Sequence, residues 1–137
     1  MRSILIITAL LAASPAAAAE TGKAETLTPA QAISRLTGAN QSVRAVVQFK
    51  VQSAAAARGG YYLNSEKDFH SPQNLEVTVR PSAMAELTQK YGKDLNSALV
   101  GKTVRVLGWI HRRTVAQGKA NATELTVTHA GQILSAS

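Results

Sequence analysis

The sequence predicts a small, mainly β domain: a five-stranded antiparallel barrel with one helix between strands 3 and 4 and a short N-terminal helix. Two segments, 43–52 and 104–113, alternate between apolar and polar residues, as half-buried strands do. A segment that follows Arg80 begins with proline and has the apolar spacing of a helix. These patterns favour a sheet that buries one face and exposes the other.

The first 19 residues have the pattern of a secretory signal peptide. Arg2 precedes a short apolar segment, and Ala17 to Ala19 supply the small residues of a cleavage site. The apolar segment is shorter than the roughly 20 residues that a membrane-spanning helix needs. We expect cleavage after Ala19 and a periplasmic or secreted protein with no transmembrane segment. An uncleaved N-terminal anchor is the alternative.

The size and composition of the chain limit its domain organisation and its possible partners. Residues 20–27 are expected to form a flexible leader, and residues 28–137 a single domain with one core. The absence of cysteine excludes disulfides and thiolate metal sites. Without Arg2, the mature chain has 14 basic and 8 acidic residues, a formal charge of +6. This charge favours a polyanionic partner, although solubility alone would also account for it.

The N-terminal half of the domain is expected to contain a helix and three strands. Thr28 is a suitable N-cap for a helix that ends near Gly38 to Asn40. Strand 1 covers residues 43–52, and a loop of small residues, 53–60, leads to strand 2 at 61–65. A polar turn then leads to strand 3 at 75–80.

The C-terminal half is expected to contain a helix and two strands. Pro81 begins the helix and Gly92 ends it, with Met84, Leu87 and Tyr91 as its apolar stripe. Strand 4 covers residues 101–114, and Gly108 marks a bend within it. Strand 5 begins near residue 125, includes 129 and ends near 133.

This order of elements is that of the OB-fold, in which a helix lies between the third and fourth strands of a small barrel. An SH3-like barrel is the structural alternative. Segments 43–47 (VRAVV), 62–69 (YLNSEKDF) and 101–108 (GKTVRVLG) resemble those of small exported bacterial OB-fold proteins. The likeness covers most of residues 41 to 133. It implies a barrel and a nucleic-acid-binding-like fold, and many such proteins have no established ligand.

Cations on the outer side of the predicted barrel suggest a binding surface. OB-folds bind oligonucleotides or oligosaccharides across strands 2 and 3, between the loop joining strands 1 and 2 and the loop joining strands 4 and 5. The candidate residues are the cations on these strands and loops together with nearby aromatic residues. They are Arg44, Lys50, Arg58, Tyr61, Tyr62, Arg80, Arg105, Trp109, His111, Arg113 and Lys119.

Three of these assignments have a structural alternative. One residue of the Tyr61–Tyr62 pair would belong to the core while the other lies at the barrel mouth. Trp109 would stack on a base or sugar if exposed, but packing beneath a helix is favoured because tryptophan is highly buried on average. Arg105 would be a structural residue if it paired with Glu76 or Glu124.

We expect no metal, no cofactor and no catalysis. The polar segment 64–70, with Glu66, Asp68 and His70, has no recognisable ligand spacing and is better explained as a turn. No nucleophile elbow or phosphate-binding glycine loop occurs. The enzyme alternative is a staphylococcal-type nuclease, whose chemistry needs clustered acidic calcium ligands, whereas the eight carboxylates here are scattered.

The sequence therefore predicts a non-enzymatic, exported OB-fold binding module. Its first expected partner is single-stranded nucleic acid, with an anionic glycan as a related possibility. The alternative is a protein-interaction or envelope-assembly module with a protein partner in the cell envelope, in which the charge serves solubility.

Overall fold

The computed structural model describes residues 24–36, 42–113 and 122–137. In these ranges the chain forms eight strands, three α-helices and one 3-10 turn. In chain order the elements are β1 (Thr26–Leu27), α1 (Pro29–Arg35), β2 (Ser42–Lys50), β3 (Ser53–Ala57), β4 (Gly60–Asn64), β5 (Leu75–Val79), α2 (Pro81–Tyr91), α3 (Leu95–Leu99), β6 (Thr103–Arg113), β7 (Ala122–Val127), the 3-10 turn (Ala130–Gln132) and β8 (Ile133–Ala136).

The strands form one mixed sheet. Its hydrogen-bonded order is β1-β2-β6-β7-β5-β4-β3, and β8 pairs with β6. The pairs β1–β2 and β5–β7 are parallel, and the other pairs are antiparallel. The predicted mainly β class is confirmed, as is a helix between the third predicted strand (β5) and the fourth (β6). The prediction of a five-stranded antiparallel barrel is not confirmed in its details, because the described residues form eight strands, two pairs are parallel and the strand order does not close.

The chain changes its pairing partner between β2 and β3. The amide of Val51 donates to Lys102, which directly precedes β6, whereas the amide of Gln52 donates to Asn64 in β4. Two consecutive residues thus bond to neighbours on opposite sides of the chain. This change connects β2, next to β6, with β3 at the far end of the sheet order.

The N-terminal helix has the predicted capping box. The Thr28 hydroxyl accepts from the Gln31 amide at 3.2 Å, and the Gln31 side chain accepts from the Thr28 amide at 2.9 Å. The helix is capped at Leu36, and the predicted end at 38–40 lies outside the described residues. The predicted leader also differs, because its last two residues form β1 and Leu27 is buried beside Val47. The predicted signal peptide lies outside the described residues.

The predicted small-residue loop at 53–60 is instead a β-hairpin. Ala54 to Ala57 pair with β4, although alanine is uncommon in strands. Arg58 and Gly59 form the two-residue turn at φ values of 50° and 78°, which suits a twisted hairpin. A side chain at Gly60 would place its Cβ 2.4 Å from the carbonyl oxygen of Val79, so glycine allows β4 to approach β5.

The predicted strand 5 is interrupted by the side chain of Gln132. Its Oε1 accepts from the amides of Thr128 and His129, and its Nε2 donates to the carbonyls of Leu107 and Thr126. The side-chain amide of Gln132 therefore takes the place of a neighbouring strand as the hydrogen-bond partner where the chain turns. The strand ends at Val127, and the chain resumes as β8. The prediction that His129 belongs to a strand is therefore wrong.

The buried face of the sheet and the helices enclose one apolar core. Val104, Val106 and Ile110 of β6 are fully buried in it, as their alternation predicted. On α2, Ala83 and Leu87 are buried, whereas Met84 and Tyr91 of the predicted stripe are only partly buried against the core. Within the described residues, no helix is long and apolar enough to cross a membrane.

Candidate functional site

Trp109 lies exposed on the outward face of β6. Its exposed fraction is 58%, so the expectation that it packs beneath a helix is wrong. Gly108 and Ile110 on either side of it are both buried, which shows that the glycine does not reverse the alternation of the strand. Arg44 of β2 lies directly opposite Trp109. Directly opposed residues of antiparallel strands share a face, so Trp109 and Arg44 lie side by side.

The same face continues along β6 toward its beginning. Arg105 is half-buried and lies opposite Gln48 of β2 and Ser135 of β8. Among the described residues Arg105 has no ion pair, so the expected alternative, a structural pair with Glu76 or Glu124, is wrong. Lys50 is exposed at the end of β2, opposite Thr103. We call the surface of Arg44, Lys50, Arg105 and Trp109 the Trp109 face.

Arg113, rather than Arg105, pairs with the two buried carboxylates. Its Nε lies 3.2 Å from Glu124 Oε2, and its Nη2 lies 3.5 Å from Glu76 Oε1. Glu76 and Glu124 are neighbours in the parallel β5–β7 pair. His111 Nε2 lies 3.8 Å from Glu124 Oε1 and directly opposite Glu124 in the β6–β7 ladder. These four residues form a charge cluster in the middle of the outward face.

Burial determines the chemistry of this cluster. Loss of hydration raises the pKa of Glu76, an effect that Arg113 and a hydrogen bond from the Thr78 hydroxyl oppose, while Glu124 adds to it. Thr126 donates to Glu124 Oε1 at 3.0 Å. Glu124 Oε2 is buried and has no hydrogen bond within the described residues, so its stabilisation comes from the charge of Arg113.

A groove lies on the same outward face of the sheet as the charge cluster, toward β4 and the β3–β4 turn. Its volume is about 240 Å³, and its lining includes Arg58 from the β3–β4 turn, Arg80 and Pro81 at the start of α2, Tyr62 of β4 and Arg113 of β6. Thr78 and Glu124 also line it. Arg58 and Arg80 are exposed. The fold thus gathers three of the predicted cations and two predicted aromatic residues, Tyr61 and Tyr62, at one site.

The two tyrosines have different roles. Tyr61 is buried in the core, and its hydroxyl donates to the side chain of Asn96. Burial, aided by the charge of Asp94, raises the pKa of Tyr61. The alternative that one tyrosine of the pair belongs to the core is confirmed by this burial, and Tyr61 also contributes to the lining of the groove, so its assignment as a ligand-binding residue stays a prediction. Tyr62 is half-buried, lies opposite Thr78 and lines the groove.

The remaining predicted residues fall in different places. Lys119 lies outside the described residues. The segment of Glu66, Asp68 and His70 is a turn, as expected, with the Asp68 carboxylate accepting from the His70 amide at 2.9 Å. In the described ranges, no group of three histidine, cysteine or acidic side chains could hold a metal ion.

Sequence reasoning did not include Glu76 and Glu124 among the site residues. Each occupies an outward position on a strand, and the two are 48 positions apart in sequence. The signal that could have found them was an isolated glutamate at an outward position of an otherwise apolar or Thr-rich strand. Without the parallel pairing of β5 and β7, this pattern could not show that the two carboxylates are neighbours.

The comparisons with known proteins give a likeness of structure alone. The crystal structure of the S. pombe Stn1-Ten1 complex resembles this chain with a TM-score of 0.37 and 16% sequence identity. The likeness covers 62% of this chain and 54% of that chain, so the protein spans about half the length of this neighbour. No family model matches the chain, and no curated protein matches its sequence.

Proposed function

We propose that this protein is an exported, non-enzymatic binding module of the OB type, and that its Trp109 face contacts single-stranded nucleic acid. The strand order supports the OB assignment, because β2 and β3 together behave as one long strand that pairs with β6 at one end and with β4 at the other. The parallel β5–β7 pair and the position of α2 before β6 are also in keeping with it. The pattern of residues 1–19 supports export.

The observation that carries the proposal is the exposed Trp109 beside Arg44, with Arg105 on the same side of the same strand. A large apolar ring exposed on a sheet is costly to hydrate, and single-stranded nucleic acids supply bases that stack on such rings. Cations beside the ring attract the phosphates on either side of the stacked base. This combination tolerates different base sequences, because every base has a stacking face.

A second candidate is protein binding, with a partner in the cell envelope. The charge cluster favours it, because Glu76 and Glu124 place two carboxylates in the middle of the outward face, where they repel phosphates. Tryptophan and arginine are also the residues that most often dominate protein interfaces. In this case the positive charge of the chain would serve solubility.

The deciding experiment is a titration of the purified protein with a fluorescent single-stranded oligothymidylate at about 50 mM and about 200 mM salt. Nucleic-acid binding predicts an affinity that falls with salt, with a slope of about −0.7 for each neutralised phosphate. An absence of binding at the lower salt concentration contradicts the proposal. Recovery of an envelope protein by pull-down, unaffected by nuclease and high salt, would favour the second candidate.

A further inference from the structure

The groove beside the charge cluster has chemistry of its own. Three arginines line it, and each comes from a different element: Arg58 from the β3–β4 turn, Arg80 from the residue before α2, and Arg113 from the end of β6. Of these, only Arg113 is paired with carboxylates within the described residues. Arg58 and Arg80 therefore leave uncompensated positive charge at one side of the groove.

Arg58 occupies a backbone conformation that disfavours it. Its φ is 50°, and it is the one non-glycine residue with positive φ in the described ranges. The first position of such a two-residue hairpin turn is usually glycine, asparagine or aspartate. Strained residues of this kind are concentrated at functional sites. An arginine at this position indicates that its side chain has a role that compensates for the strain.

Arg80 lies where a cation is also unfavourable. It is the N-cap of α2, a helix of 11 residues, and its side chain makes no cap hydrogen bond. Its own amide donates to Val127 and its carbonyl accepts from Ala83, so the backbone is fixed. The N-terminus of a helix carries partial positive charge, which the guanidinium increases. Both features favour an anion in the adjacent groove.

The size of the groove limits the ligand. Its volume of about 240 Å³ is below the roughly 300–1,000 Å³ of pockets that hold drug-sized molecules. A single phosphate group with part of its attached sugar is a suitable occupant. Guanidinium groups bind phosphate oxygens through two parallel hydrogen bonds, which is the chemistry that arginine serves best.

Trp109 does not line the groove. Arg113, which does, lies four residues further along β6, and four residues of a strand span about 13 Å. The geometry points to a phosphate subsite, formed by Arg58 and Arg80, that is distinct from the stacking position. The subsite itself does not depend on the proposed function. Its assignment to a phosphate of a nucleic-acid strand that also reaches Trp109 rests on that function. A free phosphate ester is the other source with the same chemistry.

The test uses a variant in which both uncompensated arginines are replaced. Arg58→Gly suits the positive φ of the turn, and Arg80→Ala changes an exposed side chain, so the double variant should fold. The matched control is Lys67→Ala with Lys93→Ala, two exposed lysines outside the groove, which removes the same charge. Melting temperatures of both variants verify folding.

Inorganic phosphate is the first probe. Its binding is measured by the amide chemical shifts of Gly59 and Ser82 during a titration. We expect saturable shifts in the wild type and the control, and their loss in the arginine variant. Shifts that do not saturate, or that are unchanged in the arginine variant, overturn the subsite. This measurement does not involve Trp109, so it can succeed even where the protein binds no nucleic acid.

The second probe is an oligothymidylate of about eight nucleotides, a length within the usual site size of one OB-fold. If a strand supplies the phosphate, the arginine variant should bind the longer strand about tenfold or more weakly than the control does. Equal binding of the longer strand by the two variants overturns the strand as source. Phosphate binding without oligonucleotide binding assigns the groove to a free phosphate ester and contradicts the proposed function.

Discussion

Arg113 lies with its Nε 3.2 Å from Oε2 of the buried Glu124, an oxygen that has no hydrogen bond within the described residues. The guanidinium is about half exposed, whereas Glu124 is buried. The same side chain reaches Glu76 on the next strand. Arg113 therefore compensates the negative charge of two carboxylates inside the sheet. Its first role is to stabilise the fold, whether or not it also contacts a ligand.

We expect Arg113→Ala to destabilise the fold. Removal of one partner of a buried ion pair costs about 3–5 kcal/mol, and the exposure of Arg113 should reduce this to about 1–2 kcal/mol because solvent screens the pair. An outward, exposed position on a strand would by itself suggest that replacing Arg113 leaves folding nearly intact, and the ion pairs of Arg113 revise this expectation. Urea unfolding measures the difference. Arg112→Ala, an exposed neighbour, is the control, and an equal effect in both variants would contradict the prediction.

Glu76 should make stability depend on pH in the acidic range. Because burial raises its pKa in the folded state, the folded state binds the proton more tightly than the unfolded state does. The contribution is favourable below the unfolded pKa and is lost as pH rises through the raised folded pKa. We expect Glu76→Gln to remove this loss, and to be at least as stable as the wild type at neutral pH, since the amide oxygen can still accept from Thr78.

The measurement is the difference in melting temperature between wild type and Glu76→Gln across the acidic and neutral range. The difference cancels groups that titrate in the opposite sense, such as Asp94, whose hydrogen bonds with Ser97 lower its pKa. Glu86→Gln, exposed on α2, is the control. A variant that is less stable at neutral pH, with the wild-type dependence on pH, would disprove this account of Glu76.

Local patterns predicted five of the eight strands of the described residues and the helices that begin at Pro29 and Pro81, but not β3 or the pairing between distant strands. The alternation of β6 correctly placed Val104, Val106 and Ile110 in the core, because strand side chains alternate between faces. The alanines of β3 gave no strand signal, since their pairing depends on the hairpin turn at Arg58 and Gly59. The charge cluster could not be predicted, because β5 and β7 become neighbours only when the whole sheet forms.

Gly108→Ala should destabilise the protein by overpacking. An added Cβ would lie 2.9 Å from Leu125 Cδ2, 3.1 Å from Leu125 Cγ and 3.2 Å from Gln132 Nε2. Leu125 is fully buried, and the Gln132 amide bonds to two carbonyls, so neither can move freely. We expect a loss of about 1–3 kcal/mol in urea unfolding. Gly131→Ala, where a Cβ meets nothing within 4 Å, is the control; equal stability of the two variants would argue against close packing at position 108.

Arg105→Ala should change the salt dependence of binding more than it changes stability. Arg105 has no ion pair within the described residues, so its loss exposes no buried carboxylate. If it contacts one phosphate, the slope of log affinity against log salt concentration should fall by about 0.7. Gln48→Ala, at the position directly opposite, changes the surface without changing charge. Equal slopes for wild type and Arg105→Ala would exclude a phosphate contact by this arginine.

Trp109→Ala should weaken oligonucleotide binding and leave the fold intact. Loss of a stacking ring costs about 1–3 kcal/mol per base, which corresponds to about 5- to 150-fold in affinity. Trp109→Phe keeps a smaller ring and should lose less. The matched control is Phe69→Ala, because Phe69 is exposed to nearly the same extent, 57% against 58%, but lies in the turn between β4 and β5. Anisotropy titrations at low salt measure the affinities. If both alanine variants bind as the wild type does, base stacking on β6 is excluded; an equal loss in both would indicate nonspecific attraction to exposed aromatic rings instead of a site at Trp109.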